Sequence, residues 1–308
     1  MTGAATICCL GKLPLFGDFV RLNSDASPCL LALDRWLLQG IEHGYLQSGR
    51  AFESRLRSFE PLRVLAWSGP EHCWSGFLLP SVDAVGRAYP FLAGWELHSP
   101  LPAPELVPPI GIEDLQALYG LVERARQDLP ALNVFLEQIG ASTLSQDPGR
   151  SDDVLRGFLQ AHTLEELCGR WPEGHDPGRR SRSLHDLSLL GNSPAPPRYL
   201  TMIPHAGWPA EVGFWLRLVG RWMEGRKEPT LVAWPVFASA SGSIRLLYDR
   251  LEARYVEHLL WPDEHSRSAL DLRVPSAAGR AAPGYEAFAR EVPSSGLLQH
   301  VIRAADDF

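Results

Sequence analysis

No apolar run in the 308-residue sequence approaches the roughly 18 consecutive residues a membrane-spanning helix needs. The opening, Met1 to Leu10, also lacks the basic start and long apolar middle of a secretion signal, so it reads as a first strand. The expectation is a cytoplasmic protein without membrane insertion. A surplus of positive charge is missing too. Lys and Arg number 29 against 36 Asp and Glu, for a net charge of −7. That weighs against nucleic-acid partners, which require clustered cations along a phosphate backbone. The five cysteines (Cys8, Cys9, Cys29, Cys73 and Cys168) are odd in number and form no CxxC pair. Neither a disulfide framework nor a zinc knuckle is indicated, and they read as reduced, mostly buried thiols.

Catalytic signatures are equally scarce. The sequence has no GxSxG elbow and no GxGxxG fingerprint, and Gly11-Lys12 is followed by leucine where a phosphate loop needs Ser or Thr. His162, Glu165 and Glu166 lie at helical ligand spacing but match neither HExxH nor HxxEH, and Glu166 has a helix-capping role instead. His205 near Trp208, and Asp263 near His265, read as surface histidines. No catalytic residue, metal or cofactor is therefore expected. The basic cluster Arg179-Arg180-Ser181-Arg182 has no aromatic accompaniment and reads as a solvated loop. Trp208, Trp215, Trp222 and Trp234 fall at helix and strand spacing and read as core.

What is present is enough apolar residue, 45% of the chain, to build a sizeable core. Ala4–Leu10 reads as a buried strand. Ser27-Pro28 is a helix start, followed by Leu30, Leu33, Leu37 and Ile41 at helical spacing. Phe52, Leu56 and Phe59 continue as a second stripe. Arg63–Trp67 and Trp74–Leu79 flank a polar turn as a hairpin, and Ala88–Leu97 is a third strand. Prolines crowd residues 100–109 and mark a stiff connection. Helices follow over Glu113–Asp128, Pro130–Gly140 and Ser151–His162, and Thr163-Leu164-Glu165-Glu166 is a capping box. Trp171–Arg198, rich in Pro, Gly, Ser and Arg, reads as a flexible loop. Beyond it lie a strand at Tyr199–Ile203, a helical stripe from Val212 to Met223, a hairpin from Thr230–Phe237 and Ser243–Tyr248, and a helix at Leu251–Leu260.

The expected fold class is α/β, an antiparallel-rich sheet packed with helices, longin- or profilin-like in its first domain, with a helical middle and a second, smaller α/β block. The boundaries drawn from composition are 1–140 for an amino-terminal α/β domain, 141–198 for a helical connector and flexible loop, and 199–308 for a carboxy-terminal α/β block with a loose tail.

Three ordered segments carry the most information. They are Gly11-Lys12-Leu13-Pro14-Leu15-Phe16-Gly17-Asp18-Phe19-Val20, then Leu33 to Ile41 containing Trp36-Leu37, then Trp74-Ser75-Gly76-Phe77-Leu78-Leu79-Pro80-Ser81-Val82-Asp83-Ala84-Val85-Gly86-Arg87-Ala88-Tyr89-Pro90-Phe91. In this order and spacing they resemble the amino-terminal domain of the TagF family of type VI secretion-associated proteins, over roughly residues 5–97. The resemblance implies a repressor of type VI secretion that acts after translation by engaging a forkhead-associated scaffold protein. The alternatives are a hydrolase or phosphatase-like enzyme in the same signalling circuit, or a structural adaptor to another cytosolic or envelope partner.

Read physically, Gly11 and Gly17 bracket a loop bent at Pro14, which calls for unusual backbone angles. Asp18 can cap a following turn, and Gly86 supports a tight turn before Arg87. Asp83 and Arg87, four apart amid apolar neighbours, suit an ion pair. The candidate partner-binding residues are Lys12, Asp18, Ser81, Asp83 and Arg87. The structural motif residues are Gly11, Pro14, Gly17, Trp36, Trp74, Pro80, Gly86 and Pro90. If the strands before the two motif loops are neighbours ending at one edge, the loops meet there.

Overall fold

The computed structural model describes residues 5–14, 16–128, 130–168, 199–202, 209–222, 229–237, 243–248, 250–261 and 269–271, with residues 298 and 301. The basic cluster at 179–182, the loop expected over 171–198, His205, Trp208, the Asp263–His265 pair and most of the tail lie outside them. Among the described residues, nine strands in the order β2-β1-β5-β4-β3-β7-β8-β6-β9 form one sheet. They are β1 (Ala5–Gly11), β2 (Val20–Leu22), β3 (Leu62–Trp67), β4 (His72–Leu79), β5 (Phe91–His98), β6 (Tyr199–Met202), β7 (Leu231–Pro235), β8 (Ile244–Leu247) and β9 (Ala269–Asp271). Every pairing is antiparallel except β6 with β9. The expected antiparallel-rich sheet with helices packed on it is what the chain forms.

Helices cover both faces. Helices α1 (Pro28–Ser48), α2 (Arg50–Leu56) and α8 (Tyr255–Leu260) pack on one, with Cys8, Leu10, Val64, Trp74 and Leu92. Helices α3 (Ile112–Asp128), α4 (Leu132–Gly140), α5 (Pro148–Ala161) and α7 (Pro209–Trp222) pack on the other, with Cys9, Leu65, Phe77, Phe91 and Trp95. A short α6 (Leu164–Cys168) follows α5. Double coverage explains why β3 reads Leu-Arg-Val-Leu-Ala-Trp without polar alternation: all six residues are buried. Cys8, Cys9, Cys29 and Cys73 are free thiols inside these two cores. Burial pushes the Cys8 thiol up to about 11, so it stays protonated and unreactive.

Local signals set the helix ends. The Ser27 hydroxyl accepts from the Leu30 N–H at 3.1 Å, with Pro28 at the first helical position. The same hydroxyl donates to the buried Glu96 carboxylate on β5, which pins the start of α1 to the sheet. The Thr163–Glu166 capping box forms, with the Thr163 N–H donating to Glu166 at 2.9 Å and the Glu166 N–H to Thr163 at 3.2 Å. Trp36, 3% exposed, donates its indole N–H to the Glu252 carbonyl at 2.7 Å, which joins α1 to the approach of α8.

Several boundaries differ from expectation. Strand β5 begins at Phe91, because Ala88 is occupied in an antiparallel bridge with Val82 and Tyr89 binds back to Ser81. Helix α2 ends at Leu56, and Phe59 is buried beyond its end. Helix α5 begins at Pro148, capped by the Asp147 carboxylate, so it opens a turn earlier than Ser151. Only 255–260 of the last expected helix is helical. Strand β2, three residues long, offers too few positions for a period to show.

Strands from distant parts of the chain pair at the centre of the sheet. Arg63 on β3 lies opposite Trp234 on β7, and Leu62 opposite Pro235. The sheet is thus continuous from the segment before residue 140 into the segment after residue 198.

Candidate functional site

The two motif loops leave the same end of the sheet. Strands β1 and β4 are not neighbours; both flank β5, antiparallel to it, and so run parallel to each other. Gly11 and Leu79 both lie opposite Phe91, so the loops after them start level, with β5 between them. Gly11 has φ 138°, and a Cβ there would meet the Pro90 carbonyl oxygen at 2.2 Å. Only glycine lets the first loop leave the sheet pressed against the second.

The second loop is a small hairpin. Val82 bridges Ala88, the Gly86 N–H donates to the Asp83 carbonyl at 2.9 Å, and Gly86 takes φ 86° to close the turn. The Asp83 carboxylate organises the interior of this turn. One oxygen accepts the N–H groups of Val85 at 3.1 Å and Arg87 at 2.8 Å. The other accepts Arg87 Nε at 2.6 Å and pairs with Lys12 Nζ at 3.1 Å. Burial acts to raise this carboxyl, but the Arg87 N–H and the Lys12 and Arg87 side chains outweigh it and hold it well below the ordinary carboxylate range. With four donors on its two oxygens, Asp83 is an anchor and not a proton acceptor for chemistry.

Around this anchor the two loops are sewn together. The Ala84 N–H donates to the Phe16 carbonyl at 3.1 Å, and Arg87 Nη2 donates to the Gly17 carbonyl at 2.6 Å. Helices add supports from below. Arg126 of α3 donates to the Pro80 carbonyl at 3.1 Å, and Arg57 beyond α2 donates to the Gly86 carbonyl. Tyr89 donates to the Asp34 carboxylate of α1 at 2.5 Å; burial, then that carboxylate, pushes its phenol well above the usual range.

The sequence-predicted residues separate by depth. Lys12, Ser81 and Asp83 are buried, whereas Asp18 and Arg87 are exposed, Arg87 with 61% of its side chain free. The structure brings Lys12, Asp83 and Arg87 into one cluster. Asp18 is not part of this cluster, and among the described residues it caps no turn. Of the bracketing glycines, Gly11 has a positive φ and Gly17 does not. Trp36 and Trp74 are interior, and the Trp74 indole donates to the Cys8 sulfur at 3.2 Å.

Two further groups face outward beside this cluster. Phe19 is 38% exposed and Val85 74% exposed. Phe19 packs edge-on against Tyr89 at 4.9 Å, with Lys12 and Arg21 over its ring. Val85 carried a signal, as an apolar residue in the middle of an Asp-x-x-Gly turn, where solvent normally selects polar side chains. Together Phe19, Val85 and Arg87 give the joined loops an apolar and cationic outer surface.

Residues 8–129 match the TagF N-terminal domain, described as type VI secretion system-associated. No curated protein matches the chain. Among solved structures, PA0076 from Pseudomonas aeruginosa PAO1 is similar, with a TM-score of 0.49 and 16% identity over 89% of this chain and 100% of that one.

Proposed function

We propose, from the TagF N-terminal domain that spans residues 8–129, that this protein is a non-enzymatic, cytoplasmic regulator of type VI secretion. It represses the apparatus after translation by binding its forkhead-associated scaffold protein. The observation that supports a binding role is the union of two loops, 70 residues apart at Arg87 and Gly17, into one rigid surface. Recognition groups held at the end of a sheet lose little entropy when a partner docks. Asp83 spends its acceptor capacity on holding the loops, so Arg87, Phe19 and Val85 are the groups left to meet a partner. Among the described residues no helix is long and apolar enough to cross a membrane, which agrees with a partner met in the aqueous phase.

The test is co-purification with a forkhead-associated protein of the type VI secretion apparatus, together with effector release on overexpression. Complex formation and reduced release are the expected results. No complex and unchanged release would remove the reading.

A further inference from the structure

A second site lies on the sheet face under α3, where Arg63 stands opposite Phe77, two residues before the end of β4. Arg63 of β3 points into a covered layer and is only 8% exposed. Among the described residues its guanidinium has no hydrogen bond and no ion pair; its contact is with the face of Trp234, 5.3 Å away. The Trp234 indole N–H, itself buried, likewise has no acceptor. The layer thus holds a buried indole donor beside a cation that has no anion among the described residues. A largely buried guanidinium is normally paired with an anion.

Arg63 forms part of the wall of a cavity of about 170 Å³ lined also by Phe77, Leu115, Gln116, Tyr119 and Phe237. Three of these are rings in mutual edge contact: Phe77 with Tyr119 at 5.5 Å, and Tyr119 with Phe237 at 5.3 Å. Phe237, 58% exposed, stands at the rim as a large apolar residue that the fold does not cover. The cavity therefore combines one cation with aromatic walls.

We propose that this cavity is a binding site for a small monocarboxylate carried on an apolar body, with the carboxylate on the Arg63 guanidinium and the body among the rings of Phe77, Tyr119 and Phe237. A single guanidinium offers two parallel donors that match a carboxylate, and one negative charge neutralises it. A doubly charged phosphate would leave net charge in an apolar layer, which disfavours it. Burial alone lowers the Arg63 pKa to about 10, so the group is still charged at neutral pH.

The experiment is titration of the full chain with phenylacetate and benzoate, followed by calorimetry and tryptophan fluorescence, with benzyl alcohol and inorganic phosphate as comparators. Saturable binding of the carboxylates is expected, with the comparators much weaker. Arg63→Met should weaken carboxylate binding by about tenfold or more while melting at or above the wild-type temperature, since it removes an unpaired buried charge. Gln116→Trp, an exposed helix position at the cavity wall, should block entry with Arg63 intact and the melting temperature unchanged. No saturable binding of either carboxylate, equal binding of benzyl alcohol, or full affinity in both variants would overturn the proposal.

Discussion

Arg87 Nη2 donates to the carbonyl of Gly17 at 2.6 Å while Nε of the same side chain donates to Asp83 at 2.6 Å. One guanidinium thus holds its own turn with one nitrogen and the neighbouring loop with another. A lysine has a single nitrogen and lacks the planar fork to do both at once.

Arg87→Ala should therefore separate stability from recognition. Most of the side chain is exposed, so the loss of folding stability is under about 1 kcal/mol. Asp83 keeps Lys12 and two backbone donors, and the turn persists. The expected outcome is a near-native melting temperature with loss of the scaffold complex in co-purification. A large fall in melting temperature would make Arg87 a structural element.

Asp83→Ala should be more damaging than Arg87→Ala. It removes the acceptor for Lys12, a residue 8% exposed, and leaves an ammonium group without its anion. Adding Lys12→Met to the same chain should recover part of the loss, because an apolar pair is better tolerated than a stranded charge. Thermal melts of wild type, both single variants and the double variant give the coupling directly.

The pH response follows from the direction of the Asp83 shift. Its native carboxyl is held below the ordinary value, so the stabilisation is complete above the unfolded-state value of about 3.9 and is lost as pH falls below it. Denaturant midpoints of wild type and Asp83→Asn should differ by a constant amount from neutral pH down to about 5. The gap should narrow only under about pH 4. A gap that closes near pH 6 would assign the effect to a histidine.

Trp36→Ala should cost on the order of 3–5 kcal/mol through the cavity it leaves. Trp36→Phe keeps most of the volume and removes one donor to the Glu252 carbonyl, which still accepts the Tyr255 N–H at 3.0 Å, so the cost is about 1 kcal/mol. Denaturation midpoints of the two variants check both figures, and a wild-type midpoint for Trp36→Ala would place the residue on the surface.

Much of this was legible because it is local. Ser27-Pro28 announces α1, the Thr163–Glu166 box announces α6, and the polar turn between Trp67 and His72 announces the β3–β4 hairpin. The meeting of the two motif loops was legible too, though not its geometry: β1 and β4 are kept apart by β5, a strand order that no local pattern encodes. Trp36 shows the same limit, since its size and helical position imply burial but its acceptor lies 216 residues away. Arg63 escaped notice because a lone charge in an apolar strand reads as an outward-facing residue. Only coverage of both sheet faces makes it buried.

Leu62–Trp67 is hydrogen-bonded along both sides, to β4 on one and to β7 on the other. A chain shortened to its first 140 residues would lose β7 and present the bare flank of an apolar strand with Arg63 as its one charge. Such a flank invites any extended segment to zip onto it, including a second copy. Pull-down experiments with the shortened chain would then report adhesiveness in place of recognition, and partner mapping by deletion would mislead where point substitutions on the intact sheet would not.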